Sequence, residues 1–279
     1  MLKICNLNKN YKNFKLSIED LYFESGKMYG LIGENGSGKT TFFKTVLGLE
    51  NIDGGDIKIF DKKLEEKNKV DIFNKIGIAW DYNTLPEELK ICEMSKVMER
   101  MYKNWDQVKF EKLINNFGIN KNDKIKNLSR GNSNKFMFSL IISYNPNLLF
   151  LDEILANIDF TTRKNILCFL KEYTDRGNTV ILSSHNIDEL SKYCDDIVIL
   201  KGGRILIKDK VSNIKNNYQY YELSENEYNK ISKENLIFKK IKNNKICLIT
   251  MRVLEGFDGR SKEIEIEDIL DLINEKGLL

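Results

Sequence analysis

Proline is scarce in this 279-residue chain: Pro86 and Pro146 are the only two, so boundaries must be read from periodicity and glycine placement. Cysteine is sparse as well. Cys5, Cys92, Cys168, Cys194 and Cys247 are odd in number, widely spaced, and form no CxxC or Cys/His ligand pattern. That excludes a disulfide miniprotein and reads as reduced thiols. No stretch approaches the ~20 apolar residues that cross a bilayer, and the amino-terminal MLKICNLNKNYKNF lacks the apolar core of a secretory signal. A chain of this kind working at a membrane needs a partner that spans it. Neither sign of charge is in excess: 44 Lys and Arg face 41 Asp and Glu, and a net +3 is too small to imply a nucleic-acid or anionic-membrane partner.

What is present describes a folded globular chain, 42% hydrophobic and 30% charged, long enough for two domains at roughly 100 to 200 residues each. Phe14, Leu16 and Ile18 alternate with polar residues, and the apolar run from Met28 to Ile32 leads into a glycine-rich loop. Phe42, Phe43, Val46, Leu47 and Leu49 then recur at helical spacing, so the loop opens a helix. The pattern is mainly helical from about Glu87 to Tyr144. Three apolar strands follow at the spacing of βαβ units, LLFL at 148–151, TVILSS at 179–184 and DIVIL at 196–200, which predicts a largely parallel, buried sheet. From about residue 211 the composition shifts, and a small separate carboxy-terminal region is expected to 279.

The loop Gly33-Glu34-Asn35-Gly36-Ser37-Gly38-Lys39-Thr40 fits the phosphate-binding pattern GxxxxGK[ST], between a strand and a helix as that pattern requires. Glycines let backbone N–H groups wrap a phosphate, the helix start adds partial positive charge, and Lys39 neutralises the β and γ oxygens. Thr40 offers a hydroxyl to Mg2+. Asp152 and Glu153 close the run LLFL, placing two carboxylates at the carboxyl end of a buried strand, where open α/β sheets put their ligands. Such acids often serve structure alone; beside a phosphate loop they form the second half of an NTPase site.

A third element decides the resemblance. Leu128-Ser129-Arg130-Gly131-Asn132 is similar to the LSGGQ signature of the ATP-binding cassette ATPases, and it stands the expected distance before the acid pair. The resemblance covers residues 1 to about 208. Tyr11 precedes the phosphate loop where an adenine-stacking aromatic is expected, an ordinary strand-end aromatic being the alternative. Asp81 replaces the usual glutamine after Ile76-Gly77, Ala156-Asn157-Ile158-Asp159 occupies the position of the D-loop, and Ser183-Ser184-His185 matches the switch histidine.

The resemblance implies an α/β P-loop NTPase cassette: a mostly parallel sheet core, an antiparallel β subdomain, an inserted helical subdomain at about 84–146, and a small α+β region over 211–279 after a cassette of 1–210. It implies ATP and Mg2+ as cofactors. Tyr11, the loop from Gly33 to Thr40 and Thr41 bind nucleotide; Thr40, Asp152 and Asp81 stand near the metal; Glu153, His185 and Asp81 serve hydrolysis. Leu128 to Asn132 serve in trans, with Ser129 and the Gly131 N–H closing on the γ-phosphate held by a second copy or a related ATPase subunit, and Asp159 belongs to the D-loop. Four positions depart from the pattern: Ile154 follows Glu153 where proline is common and Ala156 stands for a loop serine, both as tolerated variation, and Asp81 and Arg130 bear on the chemistry. Asp81 can bind Mg2+ but, ionised, cannot donate a hydrogen bond, and Arg130 in place of glycine points either to the triphosphate or to solvent.

The implied function is the ATPase subunit of a membrane transporter, peripheral on the cytoplasmic face, driving a separate transmembrane permease, with no nucleic-acid partner. The short tail and the LSRGN signature look like export-type bacterial subunits. A cytosolic assembly or regulatory ATPase acting on another protein is the alternative. Trp80, Tyr82, Tyr102 and Trp105 flank the surface expected to receive the permease, with core packing as the competing role. The Lys-rich 230–245 touches lipid headgroups or forms a solvated face.

Overall fold

The computed structural model describes residues 1–82, 85–184, 186–233, 236–242 and 244–251, together with Leu254, Gly256, Phe257, Lys262, Glu263, Ile266 and Ile269. The chain opens with β1 (Leu2–Asn10), β2 (Lys15–Phe23), β3 (Met28–Ile32), α1 (Lys39–Val46), β4 (Gly54–Ile59), β5 (Lys62–Lys63), α2 (Glu66–Phe73) and β6 (Ile76–Ala79). Helices α3 (Ile91–Met101), α4 (Gln107–Asn116) and α5 (Arg130–Ser143) follow, with a 3-10 turn at Ile125–Asn127. Strand and helix then alternate: β7 (Leu148–Asp152), α6 (Phe160–Asp175), β8 (Thr179–Ser183), α7 (Ile187–Tyr193), β9 (Asp196–Lys201), β10 (Arg204–Lys210) and α8 (Val211–Asn217). The tail carries β11 (Gln219–Leu223), α9 (Glu225–Tyr228), β12 (Leu236–Lys242), β13 (Lys245–Thr250) and β14 (Lys262–Glu263).

The central sheet runs β10-β9-β3-β8-β7-β6, parallel throughout except for the antiparallel edge strand β10. Its inner strands β3, β7 and β8 are buried at every position, which is why they read as unbroken apolar runs rather than as alternation. The strand period divides these residues between two faces. Tyr29, Leu31, Leu148, Phe150, Ile181 and Val198 meet α1 and the antiparallel sheet β2-β1-β4-β5. Met28, Ile32, Leu149, Leu151, Val180 and Ile199 meet α5 and α6. Helix α5 is enclosed rather than superficial, with Phe136 through Ser143 all buried.

Helices α3, α4 and α5 pack around Ile91, Met94, Met98, Phe110, Ile114 and Phe136. Tyr102 stacks on Tyr144 with ring centroids 3.8 Å apart, and Trp105 leans on Phe110 at 5.2 Å while its Nε1–H donates to Gln107. These two aromatics therefore pack within the helices. Trp80 is buried against Phe43 and stacks on Tyr82, whose ring is half exposed.

The tail sheet has the order β12-β13-β11-β14. Alternation along β13 sends Ile246 and Leu248 into a local cluster with Tyr221, Leu223 and Leu254, and sends Cys247 and Ile249 into the large core shared with Ile207, Ile214 and Tyr218. The lysines of 230–245 that are described belong to this sheet's surroundings: Lys240 is buried, and the Lys239 ammonium lies 3.9 Å from the centre of the Tyr228 ring.

Candidate nucleotide site

The turn after β3 builds the site. Gly38 ends it at φ 109°, a left-handed conformation open to glycine, and a Cβ there would meet the Phe14 ring at 2.6 Å. No side-chain cap closes α1, so the N–H groups of its first turn are left facing the cleft. Among the described residues the buried Ser37 Oγ has no hydrogen-bond partner, an orphaned polar atom in a loop whose chemistry accepts phosphate.

Lys39 is buried, and its ammonium donates to the carbonyls of Gly33 at 2.7 Å and Glu34 at 3.3 Å while standing 3.6 Å from Glu153 Oε1. Burial holds its pKa below the usual lysine range, and the carboxylates of Glu153 and Asp152 oppose that shift. The next residue, Thr40, donates from Oγ1 to Asp152 Oδ2 at 2.8 Å. Two hard oxygens side by side at the mouth of a phosphate loop are ligands of the kind Mg2+ takes, and Thr40 and Asp152 would hold it there. The residues present therefore fit Mg2+.

Asp152 ends β7, and its other oxygen, Oδ1, accepts from Ser183 Oγ at 2.6 Å. Glu153, one step beyond the strand, sits at φ 52°, and its N–H donates to both the carbonyl and the hydroxyl of Ser183. A cleft of about 760 Å³ is lined by Tyr11, Phe14, Glu34, Asn35, Lys39 and Glu153, together with Lys12, Asn13, Gly36, Gly38, Thr40 and Thr41. Tyr11 donates its hydroxyl to the Glu50 carboxylate, and a turn closed by Tyr11 N–H to the Phe14 carbonyl at 2.7 Å brings both rings to the rim. Phe14, read in the sequence as one of a strand's alternating apolar residues, precedes β2 and covers Gly38 instead. Its place three residues after Tyr11, just before the apolar alternation, was the available signal.

The structure thus brings together Tyr11, the loop from Gly33 to Thr41, Asp152 and Glu153. It does not bring Asp81 with them. One Arg130 nitrogen, Nη2, donates to both Asp81 oxygens at 2.8 Å, in a second hollow of about 450 Å³ lined also by Trp80, Tyr82, Leu128, Asn134 and Met137. The metal and catalytic roles expected of Asp81 are not served in this arrangement, because its carboxylate is engaged by a guanidinium. Arg130 does not line the cleft; its side chain is largely exposed and is paired with Asp81.

Ser129 caps α5, its hydroxyl accepting from the Asn132 N–H at 3.3 Å. A Cβ on Gly131 would come within 2.4 Å of the Asn157 carbonyl, so the signature helix and the loop 156–159 touch backbone to backbone. Asn134 adds a hydrogen bond to the Ala156 carbonyl at 2.9 Å, and Lys135 pairs with Asp159 at 3.0 Å. Asp159 also caps α6 by accepting from the Thr162 N–H at 2.9 Å. None of Leu128 to Asn132 lines the phosphate cleft. His185 lies outside the described residues.

Residues 16–156, just over half of the chain, match the family model described as ABC transporter. The chain belongs to the ABC transporter family. It is an ATPase subunit of a membrane transporter, of the cassette fold, and it works with MgATP. It is 28% identical over 217 residues to the methionine import ATP-binding protein MetN of Clostridioides difficile, covering 74% of this chain and 67% of that one. It is 29% identical to the manganese transport system ATP-binding protein MntB of Halalkalibacterium halodurans, covering 72% of this chain and 82% of that one. A solved structure described as the ATP binding subunit of an ABC transporter superposes with a TM-score of 0.70 at 25% identity, covering 77% of this chain and 92% of that one. No described helix is long and apolar enough to cross a membrane.

Proposed function

We propose that this cassette closes head-to-tail with a second copy, or with a related ATPase subunit, around two MgATP and so drives a separate transmembrane permease from the cytoplasmic face. The observation that supports this reading is the separation within one chain of Lys39, Thr40, Asp152 and Glu153, gathered at the cleft, from Ser129 and Gly131, which do not line it. A second cassette supplies the missing half.

In this reading Tyr11 and Phe14 hold adenine, the loop N–H groups and Lys39 hold the β and γ phosphates, and Thr40 and Asp152 hold the metal. Bound Mg2+ supplies charge against the β and γ oxygens. Glu153 accepts the proton of the attacking water in line with the γ-phosphorus, and His185, by its place after β8, hydrogen-bonds the γ-phosphate. Across the interface Ser129 and the Gly131 N–H complete the γ-phosphate shell, and Asp159 orders the adjoining loop. In the same reading the permease contact falls to Tyr82, supported by its half-exposed ring at the edge of the hollow between β6 and α5. The cassette spans 1–210, with the helical subdomain at 84–146 and the accessory region at 211–279.

Export is the direction we assign, from the LSRGN signature. Import is the second reading, favoured by the likeness to the methionine import ATP-binding protein MetN. ATP-driven flux in vesicles of known orientation that carry the co-purifying permease separates the two. The mechanism itself is tested by light scattering of the Glu153→Gln variant, in which hydrolysis is blocked. The mass is expected to double with MgATP and to stay monomeric without nucleotide; a monomer that holds MgATP throughout would count against head-to-tail closure by this chain alone.

A further inference from the structure

Ser183 is the last residue of β8 and is fully buried beside the acid pair, which it faces in parallel register through Asp152. Its hydroxyl has one proton to give and lone pairs to offer. Both Asp152 oxygens accept, Oδ2 from Thr40 at 2.8 Å and Oδ1 from Ser183 at 2.6 Å, so the Ser183 proton is committed to Asp152. The lone pair that remains accepts the Glu153 N–H at 3.0 Å, a bond shared with the Ser183 carbonyl at 3.2 Å. A single directed chain therefore runs from the Glu153 backbone through Ser183 to the carboxylate that faces the metal position.

Glu153 has a particular need of such a tether. At φ 52° it occupies the left-handed region, which L-residues adopt at a cost and keep only where surrounding bonds hold it. Its side-chain direction follows from that backbone. Because Ser183 is wholly buried, solvent is poorly placed to replace a lost hydroxyl there.

We propose that Ser183 is a positioning residue for hydrolysis: its hydroxyl locks the Asp152 carboxylate and the Glu153 backbone into one arrangement, so that the aim of the base depends on the order of the metal side. This rests on the reading of Asp152 as a metal-side acid and Glu153 as the base.

The test uses the full chain with Ser183→Ala, Ser183→Cys, which keeps the volume but donates weakly, and Ser183→Thr, which keeps the hydroxyl. Affinity for a fluorescent ATP analogue is measured in EDTA and in Mg2+, and kcat and KM are measured separately. The Ala and Cys variants are expected to bind in EDTA like the wild type, to lose most of the gain in affinity that Mg2+ confers, and to lose about tenfold or more in kcat with little change in KM, the size of effect usual for outer-shell partners of a metal site. Ser183→Thr is expected to restore both. The inference is overturned if the Cys variant keeps the wild-type Mg2+ dependence and kcat, or if Thr fails as badly as Ala while all remain folded, which would leave Ser183 a packing residue. If instead the wild type binds no ATP, or Lys39→Ala binds it equally well, the underlying reading of the site fails.

Discussion

Two of the residues that depart from the family pattern, Asp81 and Arg130, are each other's partners. Read singly along the sequence, Asp81 is a carboxylate that can bind Mg2+ but not donate, and Arg130 a cation aimed at the triphosphate or at solvent; 49 positions apart, their juxtaposition is set by β6 and α5 and by nothing local. The pair is partly solvated, with Arg130 61% and Asp81 34% exposed, so it contributes no more than about 1 kcal/mol. A urea-unfolding double-mutant cycle of Asp81→Asn and Arg130→Ala should accordingly show a coupling below about 1 kcal/mol that shrinks in high salt. Nucleotide-dependent dimerisation should respond more strongly than stability, because Arg130 begins the signature helix. The phosphate loop was legible in the sequence because its chemistry lies in one contiguous run, where spacing alone places glycine, lysine and hydroxyl. Ser183 and Phe14 were not, since each acts on a residue far along the chain or through a turn. His185 remains an expectation drawn from its motif.

Helix α6 begins at the loop that touches the signature helix, and its cap ties the two. The Thr162 N–H, first, and the Lys135 ammonium, second, hold the Asp159 carboxyl well below the usual carboxylate range. A carboxyl depressed in the folded state contributes stability that is fully present above its unfolded value of about 3.9 and fades as pH falls toward the folded value. Asp159→Asn keeps the cap acceptor and removes the charge. Thermal unfolding should show the wild type more stable than this variant near neutrality, with the difference closing as pH drops below about 4. At this scale the strands at 148–151, 179–184 and 196–200 were readable to within a residue or two, because burial on both faces leaves an unmistakable apolar run. The tail was not so legible: β12, Leu236–Lys242, is rich in lysine, and β14 is two residues long, so pairing and not composition defines its sheet.

Taken whole, the tail is more than an appendage, since Cys247 and Ile249 complete the same core as Ile207, Ile214 and Tyr218. Truncation after Lys210 should strip cover from at least two large apolar side chains, a loss of about 3 kcal/mol at roughly 1.5 kcal/mol each. Tm should then fall by about 6 °C or more in a calorimeter, at roughly 2 °C per kcal/mol for a chain of this size. An unchanged Tm would make the tail an independent unit. The order of the central sheet also sets a clock. β3, which carries the ATP loop at Met28–Ile32, emerges early from the ribosome, yet both of its neighbours, β8 at Thr179–Ser183 and β9 at Asp196–Lys201, emerge late. Through most of synthesis the nucleotide loop hangs from a strand with no flanking strands, so a chain that ends before β9 lacks the pairing that holds this ATP site. Competence for ATP arrives in one late step, after the polypeptide has passed residue 201, and an incomplete subunit is silent rather than wasteful.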